Sequence, residues 1–304
     1  MTCTTSISRP ADDDPYLLTD PYYGADFAVV DAFALELSLP ADDERRVEAG
    51  ILFELSYNLN QGHTFLPKNK LCAATAALLS LDGEVIEAGL TRLAEQERMV
   101  VDRIAGLDAC YLPQFHEAED YVCRRIARMA AVAIPAPPQL ESLVGQAERS
   151  QSLTYAAQQR EAIRMAAQRQ VLIVTGGPGT GKTTVMSGIL ALYDLLKIKT
   201  QLAAPTGRAA KRLAECTGRE ASTIHRLLES QFDEETGMMS FLHDEDEPLP
   251  CGALIVDETS MVDLQLMCSL LRALKRQGAY IAIASGKPAI VEVRMNPEQV
   301  TNRA

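Results

Sequence analysis

The chain has 304 residues, room for about two domains with buried cores. With 47% hydrophobic and 23% charged residues it has a globular composition, which excludes a wholly disordered chain, a collagen-like rod and a coiled coil. The net charge of −12 falls entirely on residues 1–150, so a globally basic nucleic-acid footprint is absent and any such contact must come from local clusters.

Residues 15–34 read as short and helical around a Tyr22-Tyr23-Gly24 turn. Ala41-Asp42-Asp43 can cap a helix over 44–58, where Val47, Ile51, Leu52 and Leu55 form an apolar stripe. A helix over about 68–80, a turn at Asp82-Gly83 and a helix over about 84–96 follow. Two strands flank Gly106, at Met99–Val101 and Cys110–Leu112, and a helix runs from about 115 to 131. Two helices followed by a strand pair give a winged-helix-like order; the same pattern also fits a plain helical packing module. Ile134-Pro135-Ala136-Pro137-Pro138 reads as a linker, because proline stops helices and favours extended chain. Asp244–Glu247 reads as a solvated loop.

No apolar run reaches the ~18 residues that a membrane helix requires. The start, MTCTTSISRPADDDP, has no apolar core of the kind a signal peptide needs, so a cytoplasmic protein is expected. The seven cysteines are scattered without a CxxC pair and read as reduced thiols. The four histidines are too dispersed for an HExxH-type metal site.

The densest chemistry lies after Val171-Leu172-Ile173-Val174, an apolar β-branched strand. Gly176, Gly177, Pro178, Gly179, Thr180, Gly181, Lys182 and Thr183 complete the pattern G-x-x-x-x-G-K-[ST], Thr184 follows, and a helical pattern runs from Met186 to Leu196. Such a loop aims backbone N–H groups at phosphate oxygens, and the helix N-terminus adds partial positive charge. Lys182 would reach the β- and γ-phosphates, and the Thr183 hydroxyl would ligate Mg²⁺. A second apolar strand, Ala253–Val256, ends in Asp257-Glu258, 75 residues beyond Lys182. Asp257 would hold Mg²⁺ and Glu258 would orient or deprotonate the attacking water.

Three further segments are less specific. Thr200–Ala204 reads as a strand, and Pro205-Thr206-Gly207-Arg208-Ala209-Ala210-Lys211-Arg212 follows it. Its three cations suit a phosphodiester backbone, and equally a solvated helix start. Ser222-Thr223-Ile224-His225-Arg226 reads either as a similar contact or as a plain helix cap. Gln159, one helix before the first strand, has an amide that can pair with adenine N6 and N7, or simply face water.

Taken together, Gln159, GGPGTGKTT (176–184), APTGRAAKR (204–212), STIHRLL (222–228) and IVDETSM (255–261) resemble, in order and spacing, the RecD-like ATP-dependent DNA helicases of superfamily 1. ERRVEAGILFELSYNLNQGHTFLP (44–67) resembles the segment ahead of that family's motor. The resemblance spans about residues 15–283. It implies an α/β fold: a RecA-like P-loop lobe with a parallel sheet, preceded by a mainly helical region with a winged-helix-like module. The implied layout is a helix-hairpin-helix-like region over 1–66, the winged-helix-like module over 67–133, a linker over 134–150, the lobe over 151–284 and a divergent tail over 285–304. It further implies ATP and Mg²⁺ as cofactors, movement 5′ to 3′ on single-stranded DNA, and roles in DNA repair and recombination. Gln159 would contact adenine; Thr206, Arg208 and His225 would contact DNA.

Three departures stand beside the resemblance. Tyr22–Phe27 occupies the place of a glycine-rich hairpin. After the expected strand Ala279–Ala284 the chain reads Ser285-Gly286-Lys287-Pro288-Ala289 where a Gly-Asp-x-x-Gln-Leu-Pro motif is expected. The arginine-bearing second motor lobe is also missing, so an incomplete helicase is expected, its second lobe encoded elsewhere or supplied by a partner. The alternative function is a module that binds nucleotide and DNA without unwinding.

Overall fold

The computed structural model describes residues 14–20, 22–176, 179–232, 239–275 and 280–285. The chain divides into two compact units, residues 1–117 and 118–304.

In the first unit a 3-10 turn, Pro15–Thr19, precedes helices α1 (Phe27–Glu36) and α2 (Glu44–Asn60). Asp26 and Asp43 cap these helices through their side chains, satisfying amides that the first turn leaves unpaired. Helices α3 (Lys68–Leu79) and α4 (Gly83–Glu95) follow, with Ser80 turning the chain in the left-handed region at φ 56°. Strands β2 (Val100–Ile104) and β3 (Leu107–Tyr111) form an antiparallel hairpin, and the short β1 (Leu66–Pro67) pairs with β3. Two helices followed by a strand pair is the element order expected from sequence. Val47 and Ile51 of α2 share one core with Leu71, Ile86 and Leu90. Side chains from both sides of the expected boundary at 66/67 therefore share this core.

Helix α5 (Pro113–Ala131) enters the second unit, where Ala118, Val122, Ile126 and Met129 join the core. The expected linker 134–150 contains helix α6 (Leu140–Ser150). Leu140, Val144 and Ala147 recur on its buried face, so the prolines mark only the extended segment before it. Helix α7 (Ala157–Ala166), β4 (Val171–Thr175), α8 (Lys182–Leu195), β5 (Thr200–Ala204), α9 (Gly207–Thr217) and β6 (Ser222–Thr223) come next. A short helix α10 (Ile224–Leu227) leads into a hairpin, β7 (Ser230–Phe232) and β8 (Met239–Phe241), which the sequence reading did not anticipate. Then come β9 (Ala253–Val256), α11 (Leu264–Arg272) and β10 (Tyr280–Ser285).

The five-stranded sheet is parallel throughout, in the order β4-β10-β9-β5-β6. Every residue of β9 is buried. Ala253 and Ile255 face the core made with α6, α7 and α8; Leu254 and Val256 face the core made with α5 and α11. That two-residue alternation, with both faces covered, explains why β9 is continuously apolar. The fold is α/β, as expected. Among the described residues no helix is long and apolar enough to cross a membrane.

Candidate nucleotide site

The C-terminal edge of the parallel sheet gathers the segments singled out in the sequence. Ligands of open α/β sheets bind at this edge, where helix N-termini and loop amides converge. The loop after β4 leads to Gly181, whose φ of +83° is in the left-handed region and starts α8. A side chain there would be strained and would also strike the Gln159 amide. Gln159 thus lies beside the loop, as its proposed partnership with this site requires. Its Oε1 accepts the Ala156 N–H at 3.0 Å, so the same amide also closes the first turn of α7. Lys182 Nζ donates to the Gly176 carbonyl at 2.6 Å, which holds the ammonium across the loop. Gly177 and Pro178 lie outside the described residues.

Asp257 leaves the end of β9. Its N–H donates to the Ala203 carbonyl at 3.0 Å, and its Oδ1 accepts the Glu258 N–H at 2.9 Å. The first bond fixes the backbone at the strand end, and the second orients the carboxylate. Burial pushes the Asp257 pKa above the usual carboxylate value, and the Glu258 charge adds to this; the Glu258 N–H, Arg212 and Lys182 act in the opposite sense. Glu258 takes the left-handed conformation at φ 53°, a strained geometry for glutamate that sharply turns the chain. The buried Thr259 hydroxyl then donates to the Ala284 carbonyl at 3.0 Å and ties the turn to the end of β10.

Between these segments is a cavity of about 400 Å³. Gly179, Thr180, Gly181, Lys182 and Thr183 form one wall, Asp257 and Glu258 another, and Arg212, Leu213 and Cys216 of α9 a third. Its volume lies in the range of small-ligand sites. The residues fit a nucleotide with Mg²⁺. The Thr183 hydroxyl and the Asp257 carboxylate are hard oxygen donors, and Mg²⁺ sites of this kind complete their octahedron with phosphate oxygens and water. Thr184 follows in the first turn of α8.

Thr206 and His225 each follow the paired positions Ala204 and Thr223 by two residues, so both leave the sheet at the same edge. The Thr206 hydroxyl accepts the Ala209 N–H at 3.2 Å and caps α9; Arg208 is exposed in its first turn. The His225 ring packs against Phe241 with centroids 6.0 Å apart. Thr223 caps α10, the plainer of the two readings made for that segment. Arg212 was grouped in the sequence with cations for a phosphodiester backbone; the structure puts it in the cavity wall. Only the packing of α9 beside α8 reveals this, because residues 182, 212 and 257 are far apart in the chain.

A doubly covered parallel sheet with this loop and these acids defines a P-loop nucleotide-binding lobe. Residues 159–286 match the family described as AAA domain, and residues 7–65 match the ATP-dependent RecD2 DNA helicase HHH domain. The chain is similar to RecD-like helicases in both regions. It is 32% identical over 251 residues to the ATP-dependent RecD2 DNA helicase of Deinococcus radiodurans, covering 76% of this chain and 33% of that protein. It is 33% identical over 200 residues to the RecBCD enzyme subunit RecD of Mycolicibacterium smegmatis, covering 58% of this chain and 34% of the relative. It is 35% identical over 116 residues to the ATP-dependent DNA helicase dda of Enterobacteria phage T4, covering 38% and 26%. The chain spans about a third of the length of the first two relatives.

Proposed function

We propose that this chain supplies the N-terminal modules and first motor lobe of a RecD-like DNA helicase, binding and hydrolysing ATP with Mg²⁺ as it moves 5′ to 3′ on single-stranded DNA in the cytoplasm. The observation that carries the reading is the convergence of Lys182, Thr183, Asp257 and Glu258 on one cavity at the sheet edge. Bound ATP with Mg²⁺ supplies an activated phosphoanhydride whose terminal phosphoryl group water can attack in line.

The backbone N–H groups from Gly179 to Thr184 bind the phosphates, and Lys182 places its ammonium beside the β- and γ-oxygens. Thr183 and Asp257 hold the metal, and Gln159 orients the base at the rim. Glu258 receives a proton from the attacking water. Thr206, Arg208 and His225 contact the DNA strand on the same edge. A second lobe, in a longer chain or on a partner, supplies the opposing arginine, whose loss in related enzymes costs about 10³–10⁵ in rate.

The test is ATP hydrolysis by the 304-residue chain, with and without single-stranded DNA, beside Lys182→Ala. Nucleotide binding is followed in parallel by the alkylation rate of the Cys216 thiol in the same cavity. Nucleotide should protect Cys216 in the wild type and not in Lys182→Ala. Protection with DNA-stimulated hydrolysis supports the full reading, and protection without hydrolysis favours a nucleotide- and DNA-binding module. Equal alkylation under all conditions overturns the nucleotide site itself.

A further inference from the structure

Arg212 sits one turn beyond Arg208 on α9, in the wall of the cavity that also holds Lys182, Asp257 and Glu258. Its side chain is exposed and has no hydrogen-bond or ion-pair partner among the described residues. Several other cations of the same unit are engaged, while Arg208, exposed one turn earlier, lies outside the cavity wall. Lys211 pairs with Glu215, Arg160 with Glu148, and Arg219 with Asp194. The guanidinium lines the same cavity as Lys182, Asp257 and Glu258.

We propose that Arg212 binds the terminal phosphate of a nucleoside triphosphate held in this cavity, and that α9 thereby links nucleotide occupancy to the edge carrying Thr206 and Arg208. The inference rests on the nucleotide-site reading above and adds a ligand contact to it. Metal-binding acids in P-loop sites face the terminal phosphoryl group, so a cation in the wall near Asp257 and Glu258 meets the third phosphate rather than the base. A guanidinium presents a planar fork of donors that matches phosphate oxygens, and it remains charged at every relevant pH. Two carboxylates beside a polyanion require such compensation. One rigid helix carries both this cation and the capping Thr206, so a shift of Arg212 toward phosphate moves the first turn of α9 as well.

A purely compensating role for Asp257 and Glu258 makes a different prediction, because it is blind to the third phosphate. The experiment measures Mg²⁺-dependent binding of a fluorescent ADP and of a non-hydrolysable fluorescent ATP analogue to the full chain. It compares wild type, Lys182→Ala, Arg212→Ala and Arg212→Lys, with thermal melts to show that each variant is folded. The expected result is a loss of about 10- to 100-fold in triphosphate affinity for Arg212→Ala, since a charge-assisted hydrogen bond is removed. Diphosphate affinity should change by less than about threefold, and Arg212→Lys should recover part of the loss. Unchanged binding of both nucleotides in Arg212→Ala, or equal loss of both, overturns the proposal while leaving the site intact. Failure of the wild type to bind either nucleotide, indistinguishable from Lys182→Ala, overturns the site reading and the proposal together.

Discussion

The Asp31 carboxylate accepts three hydrogen bonds: from Arg46 Nε at 2.8 Å, Arg46 Nη2 at 3.0 Å and the Tyr16 hydroxyl at 2.7 Å. Arg46 is only 5% exposed and also donates to the carbonyls of Ala41 and Leu79, so one guanidinium joins four segments of the first unit. Burial raises the Asp31 pKa, but the bonds from Arg46 and Tyr16 outweigh it and the net shift is downward. A depressed folded pKa contributes stability above the unfolded value, and that contribution is lost as pH falls through the folded pKa. Arg46→Met leaves the carboxylate without its cation and should cost about 3–5 kcal/mol at pH 7. Urea melts should show the gap to wild type narrowing in acid, as Asp31 takes up a proton in the variant first. At the site, Glu258→Gln keeps side-chain size and backbone preference but removes the carboxylate proposed as the base. Nucleotide affinity should persist while hydrolysis falls by about 10²–10⁴, measured by single turnover.

Elements were legible where their information is local. The loop at 176–184 announces itself because consecutive residues make the cradle, and β9 because an unbroken apolar run must be covered on both faces. The helix at 44–60 was legible from its stripe and its Asp43 cap. Helix α6 was not, because the prolines before it draw attention to an extended chain and its apolar residues are few. Arg212 was not legible as a cavity residue, because its meeting with Asp257 is decided by packing across the sheet. Packing also decides Gly89. A side chain there would strike Val47 Cγ1 at 2.6 Å and Ile51 Cδ1 at 3.1 Å, where α4 crosses α2. Val47 is β-branched and fully buried, so it has little room to turn aside. Gly89→Ala should therefore destabilise by about 1–3 kcal/mol from overpacking, less the gain of up to about 1 kcal/mol in helix propensity. Denaturant melts of this variant test whether the close approach of the two helices governs.

Across the whole molecule, charge and chemistry are segregated. All of the net charge of −12 resides in the first 150 residues, and the nucleotide cavity lies within the second compact unit. Ligand binding stabilises the cooperative unit that holds its site, by about 2.7 kcal/mol when ligand is at 100 times its Kd, and leaves an independently opening unit untouched. Hydrogen exchange of the intact chain with a Mg²⁺–ATP analogue should slow at 179–186 and 257–259, and remain unchanged over 22–110. A uniform slowing of both units would contradict that localisation.

The strand order has a consequence in time. β10 lies between β4 and β9, yet among the described strands of the sheet it is the last to be made. Val171 waits about 110 residues of synthesis for its partner Ile281, roughly 5–20 s at ordinary elongation rates. During that interval the emerging chain can already join β5 to β9, but β4 and β9 each present an open edge to the cell. The phosphate loop is complete on paper at Thr184, yet its distance from Asp257 is set only when β10 slides between their two strands. A nascent chain should therefore bind nucleotide only after β10 clears the ribosome, and the window before that moment is when a holding chaperone would be of most use to it.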